Sequence, residues 1–110
     1  MSDHRVGDLV LIEVPFTDLS GSKKRPALVL SVFKDDILVA FMTSRLDKAG
    51  SEDVVLRKSG KNGLVVDSAV LVRKIFTLHR TLIARVLGAC HVEERRKIIQ
   101  SVIRHLQRGM

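Results

Sequence analysis

A chain of 110 residues that is 45% hydrophobic and 28% charged, with two prolines and seven glycines, is one domain's worth of sequence, expected to span 1–110. It is neither disordered nor collagen-like nor low in complexity. Nineteen Lys and Arg against twelve Asp and Glu give a net charge of +7, which points to a polyanionic or acidic partner: nucleic acid, an anionic membrane surface or an acidic protein.

Val6 to Val14 is apolar, rich in β-branched residues and halted by Pro15, the pattern of a strand. Phe16 to Arg25 holds turn formers and then three cations and reads as a loop. Pro26 to Phe33 is a second strand, with proline at its first position where a missing N–H does little harm. Lys34-Asp35-Asp36 predicts a tight turn and Ile37 to Met42 a third strand, the two forming an antiparallel hairpin. Thr43 to Glu52 is polar and irregular. Asp53 to Leu56 is a short strand, Asn62-Gly63 carries a turn signal, and Leu64-Val65-Val66 continues as extended chain. Ser68 to Arg73 and Thr81 to Val86 are further strands. From Val92 the apolar period changes to 3, 4 and 7, with Glu93 and Glu94 in the first turn, Arg104 and Arg108 in the last, a Glu93–Lys97 pair, and Gly109 as a stop. This predicts one helix of about 15 residues. Five to seven short strands followed by a helix fit a small, strongly bent antiparallel barrel with an appended helix, mainly β with some α.

The single cysteine, Cys90, excludes an intrachain disulfide and a Cys-rich metal site; with only His91 beside it, a small buried hydrophobe is the expectation. The opening residues lack the pattern of a signal peptide, and the apolar runs are far shorter than the roughly 20 residues that span a bilayer, so a cytoplasmic protein without a membrane segment is expected. Gly-rich phosphate loops, His pairs at i,i+4 and Gly-x-Ser-x-Gly are absent from the sequence. The four histidines, His4, His79, His91 and His105, read as surface or cap residues, and no metal or other cofactor is indicated.

Two features carry chemistry. Lys23-Lys24-Arg25-Pro26 places cations at the mouth of a strand, where a guanidinium can grip a phosphate with both arms of its fork. Met42-Thr43-Ser44-Arg45 puts two hydroxyls at the end of the next strand. If the strands pair as a hairpin, the start of one lies beside the end of the other, bringing Arg25 close to Thr43. An arginine and a hydroxyl converging there can bind a phosphate and stabilise its transition state. The plainer reading is a solvated basic loop and a strand-terminating Thr-Ser.

Gly7-Asp8-Leu9-Val10-Leu11, Phe16 to Ser31 with its Arg25-Pro26, Ala40-Phe41-Met42-Thr43-Ser44, Gly63 to Ser68, Thr77-Leu78, Gly88 and the C-terminal helix together resemble the MazF/PemK family of toxins over nearly the whole chain. The resemblance implies a homodimeric toxin of a bacterial toxin–antitoxin pair with an SH3-like barrel. It implies a metal-independent endoribonuclease that cuts single-stranded RNA at short sequences, using the RNA's own 2′-hydroxyl and leaving a 2′,3′-cyclic phosphate. By the same resemblance Arg25 contacts the scissile phosphate and donates or relays a proton, and Thr43 holds the phosphate or the 2′-hydroxyl with Ser44 as helper. An antitoxin would lay an acidic, partly disordered tail over the basic groove. The chain departs from the family in lacking a Glu or His before Arg25 and in carrying Arg73 where some relatives have an acid. Asp18 and Asp67 are the nearest carboxylates by motif, and each also reads as a turn cap.

Phe16, near Arg25, is the expected base-stacking residue, or else plugs its loop onto the barrel. Lys23, Lys24 and Arg45 are expected to bind substrate, with Arg73 and Lys74 extending the groove, while Arg95, Arg96, Lys97, Arg104 and Arg108 solvate the helix. The alternatives are a non-enzymatic toxin that contacts DNA gyrase, like CcdB, and an RNA-binding barrel without catalysis.

Overall fold

The computed structural model describes residues 4–15 and 21–109. In chain order they form β1 (Asp8–Pro15), β2 (Ser22–Phe33), β3 (Asp36–Thr43), a 3-10 turn at Leu46–Lys48, β4 (Val54–Leu56), β5 (Ser68–His79), a 3-10 turn at Arg80–Leu82, β6 (Ile83–Ala89) and α1 (Val92–Gln107). The six strands make one curled sheet in the order β4-β5-β3-β2-β1-β6, with every neighbour antiparallel. This is the expected small antiparallel barrel-like fold with a C-terminal helix.

The apolar runs of β1 to β3 are nearly continuous because the curled sheet is covered on both faces. Leu9, Leu28, Ala40 and Met42 belong to one cluster, which Ile98 of α1 completes. Their chain neighbours Val10, Val29 and Val39 belong to a second, with Ile12 and Ile37. Cys90 is buried in the first cluster, as expected of a small hydrophobe. Burial, then the charge of Glu94, hold its thiol above the ordinary range.

The edge strands β4 and β6 do not pair with each other among the described residues. The segment between β4 and β5 spans the gap, with the amide of Ala89 donating to Lys61 O at 3.1 Å.

Strand boundaries differ from the sequence expectation at several places, and β6 runs from Ile83 to Ala89 rather than from Thr81 to Val86 because Arg80–Leu82 is a 3-10 turn. Lys23, Lys24 and Arg25 are not in a loop but in β2, because β1 is long enough to pair with them: Ile12 faces Arg25, Glu13 faces Lys24 and Val14 faces Lys23. Long-range pairing outweighs the low strand propensity of a cation run. Leu64-Val65-Val66 is irregular rather than extended, since Asn62 and Asp67 fold this segment back on itself. β5 continues past Arg73 to His79 because β3 offers partners along its whole length, up to Asp36 facing His79.

The helix forms where the period changes. Glu94 accepts from the His91 amide at 2.9 Å and so caps the first turn. Glu93 pairs with Arg96 at 3.2 Å rather than with Lys97. Arg95 does not simply solvate the outer face: its guanidinium donates to Val6 O at 3.2 Å, over the turn at Gly7. Arg108 lies 3.3 Å from the carboxylate of Glu52 and likewise ties the helix to the sheet side. No helix among the described residues is long and apolar enough to cross a membrane.

Candidate nucleic-acid interface

The β2–β3 hairpin turns at Lys34-Asp35, with Phe33 facing Asp36, and runs back to the pair Ala27 and Phe41. Carried two residues further, that register sets Arg25 opposite Thr43. The ladder itself stops at Ala27, just inside Pro26, which has no N–H to donate. Lys23 and Arg25 share one face of β2, with Lys24 between them.

Two grooves meet at this end of the hairpin. The first encloses about 450 Å3 and is lined by Lys23, Lys24, Arg25, Thr43, Ser44 and Arg45, with Leu11, Arg85 and Leu87 on its floor and far side and Gly63 to Val66 along one wall. The second encloses about 690 Å3 and runs the other way, past Phe41, Lys48, Arg73, Lys74 and Phe76. Lys23, Arg25, Met42, Thr43 and Arg45 belong to both. Arg25 and Thr43 therefore stand at the junction. Six of the seven residues singled out from the sequence come together here; the seventh, Phe16, lies outside the described residues, as does Asp18.

Thr43 is held by its own turn. Its Oγ1 accepts from the Arg45 amide at 3.1 Å, and the amide of Leu46 donates to Ser44 O at 3.1 Å. That bond uses one lone pair of the oxygen and leaves the hydroxyl proton available to donate. Arg45 forks onto Asp47 at 3.3 Å, with both partners largely exposed.

The wall at Gly63 to Val66 is fixed from beneath. The buried Asn62 accepts from the amides of Ser59 and Leu64, both at 3.0 Å, and donates to Arg57 O at 2.8 Å. Gly63 has φ +71°, and a Cβ there would lie 2.1 Å from Leu87 O; only glycine permits this approach. Asp67 accepts from the Lys58 amide at 2.8 Å and closes the loop, which supports its reading as a cap. Val65, by contrast, is 87% exposed.

Arg73 is fixed by a carboxylate that the sequence reading passed over. Asp53, whose side chain is only 2% exposed, holds Arg73 at 3.0 Å and also accepts from the amides of Val72 and Gly50. Among the described residues, neither groove is lined by Asp, Glu or His, and no three His, Cys, Asp or Glu side chains gather as a metal site. The histidines do cap or bridge: the His79 ring accepts from the Thr81 amide, His91 meets Lys61 Nζ at 3.1 Å, and His105 approaches Glu52 at 3.4 Å. Sequence reasoning missed Lys48, Val65, Val66, Phe76 and Arg85 as groove residues. No local motif marks them, because they come from the turn after β3, the β4–β5 segment, β5 and β6, and only the pairing of β5 with β3 and of β6 with β1 brings the strand residues near.

A family model for the PemK-like, MazF-like toxin of type II toxin–antitoxin systems matches residues 5–106. The chain belongs to this toxin family. The PemK/MazF fold is borne out by solved structures. MazF from Deinococcus radiodurans is 25% identical, with all of both chains covered and a TM-score of 0.74. A MazE–MazF structure from the same organism superposes at a TM-score of 0.81 with 19% identity, covering 97% of this chain and 98% of that one. An endoribonuclease in complex with its cognate antitoxin, from a mycobacterial species, gives 0.72 at 18% identity, with 97% and 96% covered. No curated protein sequence matches significantly. In this PemK/MazF-like toxin the guanidinium of Arg73 is clamped by Asp53.

Proposed function

We propose that this toxin is a sequence-selective, metal-independent endoribonuclease that cuts single-stranded RNA at the junction of the two grooves. The observation that carries the reading is the meeting of Arg25 and Thr43 there, on a surface lined by cations, in a chain of this family. The RNA's 2′-oxygen attacks the adjoining phosphorus, and the bond from phosphorus to the 5′-oxygen breaks. The products are a 2′,3′-cyclic phosphate and a free 5′-hydroxyl. Arg25 gathers the charge that builds on the non-bridging oxygens, and the Thr43 hydroxyl donates to one of them. A guanidinium holds its protons too tightly to lose one readily, so water takes the 2′ proton and supplies the one that reaches the leaving oxygen. Ser44, Lys23, Lys24 and Arg45 hold the flanking phosphates, with Phe16 a further candidate to contact a base.

The toxin acts in the cytoplasm as a homodimer. Its partner is an antitoxin whose acidic, partly disordered tail folds onto the same cationic surface and excludes RNA. The MazE–MazF and endoribonuclease–antitoxin structures of similar fold support that partner.

The test is cleavage of RNA by purified protein in EDTA. Wild type is expected to cut and to leave cyclic phosphate ends, whereas Arg25→Ala loses at least about 100-fold in rate, as when a transition-state donor is removed. Arg25 is exposed, so the melting temperature is expected to stay put. Persistent cleavage by Arg25→Ala would sink the mechanism; binding of intact RNA without any cutting would leave a non-catalytic RNA-binding barrel.

A further inference from the structure

The second groove has more charge than the junction needs and one apolar feature that packing does not explain. Phe76, on β5 opposite Val39, is 50% exposed. Its ring meets Phe41 edge to face, with centroids 5.5 Å apart and planes at 69°. Phe41 is two residues before Thr43 on β3, about 7 Å along the strand. Around the rings the groove carries Lys48, Arg73 and Lys74. Asp53 offsets Arg73, while no ion pair engages Lys48 or Lys74 among the described residues. A half-open aromatic ring, braced from one side and bordered by unneutralised cations, suits a nucleobase with its phosphate trailing beside it. Phe33 is more exposed at 69%, but it sits at the far hairpin turn beneath Lys34 Nζ, away from both grooves.

We propose that Phe76 is the base-stacking residue of this toxin: the base next to the phosphate held by Arg25 and Thr43 stacks on its ring, and the strand then runs over Lys74 and Lys48. The inference rests on the ribonuclease reading and adds the direction in which RNA leaves the junction. Because every base has a π face, this subsite gives affinity and position with little discrimination between bases. Phe76 is a positioning residue, since it touches a base one step from the reacting atoms.

The chain has no Trp or Tyr, so F76W places a single indole in the groove, and F33W places one outside it. The probe is a random-sequence RNA oligonucleotide methylated at every 2′-oxygen, which cannot be cut by the proposed route. Indole emission is expected to be quenched on titration in F76W and unchanged in F33W. On cleavable RNA, F76L is expected to raise KM about 10-fold or more with kcat nearly constant, and F76W to restore KM. Equal responses of the two indoles, or a wild-type KM in F76L, would overturn the proposal while leaving cleavage by wild type and its loss in R25A intact. If wild type neither binds nor cuts RNA, the underlying reading falls and this one with it.

Discussion

Thr43 illustrates how one side chain can serve both the backbone and a ligand. Its oxygen receives the Arg45 amide, which shapes the turn leaving β3, and the same hydroxyl has a proton left to donate into the groove. Thr43→Val removes both while keeping the shape. The turn loses one exposed hydrogen bond, about 1 kcal/mol, and cleavage is expected to fall about 10-fold or more, whereas Thr43→Ser retains most of the activity. Initial rates and thermal melts on the two variants check this, and a fully active Thr43→Val would remove the hydroxyl from the mechanism. At this scale the sequence was informative about Arg25 and Thr43, because a hairpin around Lys34-Asp35 brings the two strand ends together; plain counting from the turn would set Arg25 opposite Ser44, and the register shift between Val29 and Ser31 moves it to Thr43. The sequence was silent about the roles of Asp53 and of Asn62, the latter marked only as half of a turn signal. Their importance comes from being buried with every polar atom engaged, a property of the folded surroundings and not of neighbouring letters.

At the scale of elements, the β2–β3 turn is tied to the 3-10 turn after β5 by a small clasp. Arg80 reaches the Asp35 carboxylate at 2.9 Å, and its amide donates to Asp35 O at 2.8 Å. Arg80, by hydrogen bond and by charge, holds the Asp35 carboxyl below its ordinary value of 3.8. A carboxylate with a lowered folded-state pKa contributes stability above its unfolded pKa and loses it as pH falls through the folded one. The melting difference between wild type and Asp35→Asn is therefore expected to be constant from neutrality down to about pH 5 and to shrink below 3.8, remaining small throughout because the pair is exposed. Melts across pH 2.5–7 check this; a difference that grows toward acid would contradict it. Helix α1 was the most legible element, since its period and its charged ends are written locally. The extent of β2 and β5 was not, for both depend on partners far away in the chain: Lys24 is a strand residue only because Glu13 lies opposite.

For the whole molecule, the charge of +7 divides by location. Cations at the junction and along the second groove face outward with no acid among the lining residues. Two at the helix are instead structural clasps, Arg95 on Val6 and, just past the end of α1, Arg108 on Glu52. The affinity for RNA is expected to fall with salt, with a log–log slope of about −0.7 for each phosphate contact. Lys74→Ala is expected to reduce that slope by about 0.7 and to weaken binding alike for all sequences. Substituting Lys97, which lines neither groove, should leave it unchanged. Titrations between 50 and 300 mM salt distinguish the two, and equal slopes would place RNA elsewhere. The fold class was visible from the spacing of strands and the late change of period. The grooves were not, because they depend on strand order: β1 pairs with both β2 and β6, so Ile12 faces Arg25 on one side while Leu11 faces Arg85 on the other.

The loop that spans the gap between β4 and β6 mixes two kinds of position within six residues. Asn62, Gly63 and Asp67 are tied to their surroundings by hydrogen bonds or close backbone approach, while Val65 and Val66 line the first groove with much of their surface open. Anchoring and presentation therefore fall on different letters of one short segment. Mutation can vary the presented pair without disturbing the anchors, so the chemistry met by an entering strand can drift over generations while the melting temperature stands still. If RNA enters this groove as proposed, a lineage built on this scaffold can change its targets without having to re-evolve its fold.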